Sequence, residues 1–167
     1  MNKLILLAAC ALLAGCDYTV PLVKTPDLDI DKAVLGLWEN TAANGQNERL
    51  LILPLSAREY LVSFPAGGPD SMFARACLYR RAGQTLVQLE WIGTAQGKLA
   101  EDDRKFQFAE YSITNQMLRI RLLNPEAVSK EASSAEALAK ALSENTGATN
   151  LYRDALTYRK VNGTGQK

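Results

Sequence analysis

Few side chains in this sequence are of types that carry out chemistry. Among 167 residues there is no histidine, and the three cysteines stand at positions 10, 16 and 77. Without imidazole, proton relays, Ser-His or Cys-His nucleophile pairs and most transition-metal sites lack their usual parts. Carboxylates remain. Glu90 and Glu110 fall in strand-like stretches. They would form a hydrolytic pair only if they faced each other and burial kept one protonated, and glutamates on the solvent side of amphipathic strands need no such role. Glu101-Asp102-Asp103 lacks the alternating ligand spacing and the glycine of a calcium loop and reads as a solvated turn. Arg75, Arg80 and Arg81 on one hairpin could meet lipid phosphates, but they also match the scattered cations of an ordinary edge strand. The expectation is a protein that is not an enzyme and has no metal or cofactor.

One thiol does sit in a pattern that specifies a reaction. Lys3 precedes an apolar run that begins at Leu4 and ends in Leu13-Ala14-Gly15-Cys16. A cation, a short apolar stretch and small residues before a cut site make a secretory leader, too short for a permanent membrane span. A cysteine at the cut position marks a bacterial lipoprotein leader, whose thiol receives a diacylglyceryl group before cleavage. Residues 1–15 are therefore expected to be a signal peptide and Cys16 the lipidated first residue, with palmitate-like chains holding the protein to a membrane. Asp17 follows, and resembles the sorting signal that in enteric bacteria withholds a lipoprotein from the outer membrane. The expected location is the periplasmic face of the inner membrane, with the outer membrane as the alternative. Cys10 leaves with the leader, so Cys77 has no internal partner in an oxidising envelope and is expected to be a buried small hydrophobe.

Removing the leader leaves 152 residues, enough for one domain with a single core. Those residues hold 18 basic and 18 acidic side chains, a balance that argues against nucleic acid as a partner. Pro21 and Pro26 exclude a regular helix from 16–30, read as a lipidated tether. The domain spans 31–161, and 162–167 reads as a flexible tail. Asp31 caps a brief helical turn that Gly36 stops. Runs around 49–55, 59–64, 72–81, 84–92, 105–113, 116–123 and 156–161 then read as strands joined by short connections. In the fourth of these, Val87, Leu89 and Trp91 share one face, as Tyr60, Val62 and Phe64 do in the second. Ser133 and Glu136 are spaced as a capping box, opening a helix over 133–143 with Ala135, Leu138, Ala139 and Leu142 on one stripe. The fold class is mainly β: a single antiparallel meander of six or seven strands, as a curved sheet or small barrel, with one late α-helix.

Gly36-Leu37-Trp38 entering the first strand, the meander, the late helix and a last strand bearing Arg159 resemble the lipocalins and the wider calycin group. The same leader and ending resemble small Gram-negative lipoproteins with a lipocalin-like domain. The resemblance implies that Trp38 closes the barrel floor with Arg159 packed across its indole. It also implies that Tyr60, Val62, Phe64, Val87, Leu89 and Trp91 line a pocket or fill a core. Two functions are then in view. One is non-enzymatic binding of an apolar or amphipathic small molecule such as a lipid; the other is an accessory subunit of an envelope protein complex, its barrel packed solid.

Overall fold

The computed structural model describes residues 17–41, 47–81, 83–97, 99 and 104–161. The leader, Cys16, the run Glu101-Asp102-Asp103 and the tail 162–167 lie outside the described residues. Eight strands follow one another around a closed antiparallel barrel: β1 (Gly36–Thr41), β2 (Asn47–Pro54), β3 (Tyr60–Phe64), β4 (Met72–Arg81), β5 (Gln84–Thr94), β6 (Phe106–Thr114), β7 (Met117–Leu122) and β8 (Leu156–Lys160). The count exceeds the expected six or seven because the short stretch after Gly36 is a full strand. It pairs with β2 along its length and meets β8 at Trp38↔Lys160 and Glu39↔Arg159. Closure leaves no free edge.

Short turns set this nearest-neighbour order. Between β6 and β7, Asn115 and Gln116 have φ of 50° and 63°, the positive values that a two-residue hairpin loop requires. The turn therefore includes Gln116, and β7 starts at Met117. Between Phe73 and Ala74 the pairing of β4 with β5 shifts by one residue, which bends the wall locally.

The floor is built around Trp38, which is fully buried. A 3-10 turn, Lys32–Val34, precedes β1, with Asp31 as its N-cap accepting from Ala33 N–H at 2.9 Å. The indole Nε1 donates to the Val34 carbonyl at 2.8 Å, tying the turn across the barrel end. Lys160, not Arg159, covers the indole: its Nζ lies 5.1 Å from the ring centre. Arg159 lies opposite Glu39 and is exposed, because neighbours along a strand point to opposite faces. Gly36 has φ of +125°, and a Cβ there would sit 3.3 Å from Lys160 Cε. Backbone freedom and the absence of a side chain both serve that lysine's path.

α1 (Ala135–Glu144) begins one residue later than the capping box suggested. Ser134, not Ser133, is the N-cap and accepts from Ala137 N–H. Leu138 and Leu142 are buried, and the helix lies on the outside of the barrel in a second apolar cluster with Tyr18, Leu86, Phe106 and Phe108.

Residues 17–30 are not a free tether. They strap the outer wall from end to end. Asp17 and Tyr18 N–H donate to the Phe106 carbonyl, and the Tyr18 carbonyl accepts from Lys105 and Phe106. Lower down, Leu22 and Val23 N–H donate to Gln88 Oε1 at 2.7 and 2.9 Å. At the floor, Ile30 N–H reaches the Ala57 carbonyl in the β2–β3 connection. Two prolines exclude a helix here, yet each remaining stretch still finds polar partners on the wall.

Candidate functional site: the barrel interior

Inward-facing residues of β2 to β8 surround a cavity of about 130 Å³. That is close to the size of an apolar cavity that takes up benzene, roughly 150 Å³. It is smaller than the roughly 300 to 1,000 Å³ typical of drug-sized ligand sites, so it suits a slim body or the end of a chain. Tyr60, Val62 and Phe64 line it from β3, and Val87, Leu89 and Trp91 from β5, all six on the faces their alternation assigned. β7 contributes Leu118, Ile120 and Leu122, and β8 contributes Leu156 and Tyr158. Strict alternation along β6 puts Gln107, Ala109 and Tyr111 inside while Phe106 and Phe108 join the outer cluster.

Polar atoms are few and mostly engaged. Trp91 Nε1 donates to Gln107 Oε1 at 3.0 Å. At the floor Asp31 forms a latch: its N–H donates to the Tyr60 hydroxyl at 2.6 Å, and its Oδ2 accepts from the Tyr111 hydroxyl at 2.9 Å. Burial raises both tyrosines above the ordinary phenol pKa, and for Tyr111 the bond to the Asp31 carboxylate adds to the rise because it favours the protonated phenol. Tyr158 is only 2% exposed, its ring edge-on to Phe64 with centroids 6.4 Å apart. Burial raises its pKa too, with Glu48 adding to the rise through space.

Among known proteins the chain matches no family model, no curated protein and no solved structure.

Other candidate residues fall outside this cavity. Glu90 and Glu110 are on the outer face of adjacent strands, paired with Lys105 and Arg121 respectively. Glu90 lies beside Phe106, so Glu110 is four positions along the ladder, roughly 13 Å away. The structure does not bring them together as a reacting pair. Arg75 binds Glu59. Cys77 is buried beneath the strap, 3.9 Å from Gln88 Nε2, and burial lifts its thiol pKa to about 11, so it stays protonated at neutral pH. Among the described residues no group of His, Cys, Asp and Glu is arranged to hold a metal ion.

Asp17 is buried, and Arg153 Nη2 lies 3.2 and 3.1 Å from its two carboxylate oxygens. Desolvation raises its pKa against the opposing pull of Arg153. Sequence reasoning missed Gln107, Tyr111, Tyr158 and Lys160 as interior or floor residues. The period-2 alternation that found the other six would have found these, had it been carried through β6 and β8.

Proposed function

We propose that this chain is a lipid-anchored lipoprotein of the bacterial envelope whose lipocalin-like barrel binds an apolar or amphipathic small molecule such as a lipid, without catalysis. The observation that carries the reading is the cavity: a closed barrel with an apolar interior, latched at its floor by Asp31, Tyr60 and Tyr111. The lipocalin-like reading is supported by the closed eight-strand antiparallel barrel, opened by Gly36-Leu37-Trp38, and by a last-strand cation, Lys160, over the indole. The anchor is Cys16, and its acyl chains would hold the protein firmly, since each buried methylene contributes about 0.8 kcal/mol. Native mass spectrometry of protein extracted from its own membrane tests the binding reading. A co-purifying lipophile is expected, and an empty mass with a cavity that admits no apolar probe would refute it. Cys16→Ser tests the anchor: the protein should leave the membrane fraction, and continued sedimentation with membranes after a salt wash would refute lipidation.

For location, the inner membrane rests on Asp17 acting as a sorting residue. Its carboxylate is buried against Arg153, an observation that favours the outer-membrane alternative. Arg153→Ala frees that carboxylate, and a shift of the variant toward the inner membrane on fractionation would show that the sorting step reads it. The accessory-subunit reading also has an observation in its favour, since Leu53 and Leu55 at the floor end are 41% and 48% exposed. Crosslinking from Leu55 to one envelope protein, together with no bound lipophile, would put that reading first.

A further inference from the structure

The outer wall is covered on one side. There the strap and α1 pack against outward residues of β5 and β6. Around β8, β1, β2 and β3 the outward positions are apolar as well. Leu37 lies opposite Leu51 and Leu53 opposite Leu61, while their neighbours Trp38, Ile52 and Val62 face the interior. Val161 adjoins them, its N–H donating to the Leu37 carbonyl at 2.9 Å. None of Leu37, Leu51, Leu53, Leu61 and Val161 belongs to either apolar cluster, and Leu53 and Val161 are 41% and 37% exposed. Strands apolar on both faces are normally covered on both. No described element covers these.

The border of the patch restricts what can cover it. One row toward the rim, Arg159, Glu39 and Arg49 lie side by side, and Glu39 pairs with Arg49 at 3.4 Å. Beside Leu61, Arg75 is taken by Glu59. Arg159, and Arg119 on the same outer face of β7, have no carboxylate partner among the described residues. The surplus at this border is therefore positive, and it favours carboxylates beside an apolar surface. A closed barrel offers no edge for an added strand, so the cover packs through side chains, as α1 does on the opposite wall. We propose that this face docks an amphipathic helix of a partner protein, its apolar stripe laid on the leucines and bordered by carboxylates that meet Arg159 and Arg119. No stretch outside the described residues combines large apolar side chains with carboxylates, so this chain does not supply the helix. A second copy meeting patch to patch would set cation against cation. A bilayer at Cys16 would lie toward the rim, away from Leu53. The inference rests on the accessory-subunit reading, not on the cavity, and names the partner's chemistry.

The test places a photoreactive benzophenone residue at position 53 of the full chain in its own cells and, as a control, at position 140 on the exposed face of α1. Position 53 should crosslink to one protein, and mass spectrometry of the adduct should show a peptide with apolar residues three and four apart and Asp or Glu beside them. Position 140 should give no such adduct. Arg119→Glu combined with Arg159→Glu should cut the yield roughly fivefold or more, and Arg119→Lys combined with Arg159→Lys should retain it. Val161→Glu, at an exposed strand end, should reduce the yield as well, and thermal unfolding of each variant shows that it folds. An adduct to lipid, to a second copy of this chain or to a peptide without those carboxylates would overturn the proposal, as would a yield indifferent to charge reversal. Protein adducts from position 140 alone would leave the accessory-subunit reading standing and remove this surface from it. No protein adduct from either position would remove both.

Discussion

The molecule has two apolar clusters on opposite sides of one wall, built by different rules. The inner one takes alternate residues from the barrel strands and the 3-10 turn and leaves a space of about 130 Å³. The outer one joins the intervening residues of β5 and β6 to Tyr18 of the strap, to Val128 and Leu151 of the β7–β8 connection and to Leu138 and Leu142 of α1. There the Tyr18 ring meets Phe108 edge-on at 5.2 Å, and its hydroxyl donates to the Val128 carbonyl at 2.8 Å. A barrel of eight strands is normally filled by its own side chains. Here the wall is also braced from outside, so its shape does not depend on filling the interior completely.

If that contrast is right, truncation should cost heavily on both sides of the wall. Trp38→Ala at the floor and Phe108→Ala in the outer cluster are each expected to lose about 3 to 5 kcal/mol in denaturant unfolding. A Phe108→Ala loss under about 1 kcal/mol would mean that the outer layer is decoration and the comparison fails.

Enlarging a residue should separate the two sides. Leu89→Trp grows into the cavity and is expected to cost less than about 1 kcal/mol, whereas Leu138→Trp overpacks the outer cluster and should cost about 1 to 3 kcal/mol. Equal losses in thermal unfolding would show that the interior has no usable room.

Alkaline titration probes both clusters together. Tyr18 in the outer one and Tyr60, Tyr111 and Tyr158 around the inner one all have phenol pKa values raised mainly by burial, and Cys77 lies near 11. Each group deprotonates first in the unfolded chain, so the unfolded state binds fewer protons and stability falls as pH rises through the unfolded values. The loss should begin near pH 9 with Cys77 and steepen above about pH 10, reaching up to about 1.4 kcal/mol per pH unit for each such group. Tyr18→Phe and Tyr158→Phe should each flatten the slope. A flat stability profile between pH 9 and 11 would contradict the burial of both.

The smallest effect lies at the floor. In a double-mutant cycle, Trp38 and Lys160 should couple by about 0.5 to 1 kcal/mol through the cation-π contact, while Trp38 and Arg159 should show no coupling. Coupling to Arg159 instead would displace Lys160 from the role the geometry gives it.

Much of the barrel was legible in the sequence because an inward face needs only a period of two. That period placed Val62, Leu89 and Trp91 on the inward face without any knowledge of the partner strands. Lys160 was equally legible: with Tyr158 facing in, position 160 shares its face and Arg159 cannot. The strap was harder, since Pro21 and Pro26 say only what the segment is not. Its trace was in the partner strands, where Leu86, Phe106 and Phe108 make the face opposite the interior apolar as well, a sign of cover on both sides. The void itself could not be read, because volume is the remainder after many side chains pack. Nor does the sequence distinguish a paired Asp17 from a free one, since Arg153 is 136 residues away.

The path of the strap has a consequence for orientation. It begins at Asp17, level with Phe106 where β6 starts, and ends at Ile30 beside the floor connection, with hydrogen bonds to the wall at both ends and midway. The described chain is thus held to the wall from its first described residue, Asp17, at the rim. Under the anchor proposed above, a lipid on Cys16, the residue next to Asp17, would moor the domain on the side of that rim, with Trp38 and Lys160 at the far end. The barrel would stand on the bilayer with its floor turned away, and a hydrophobic molecule passing between membrane and cavity would have no aqueous gap of tether length to cross.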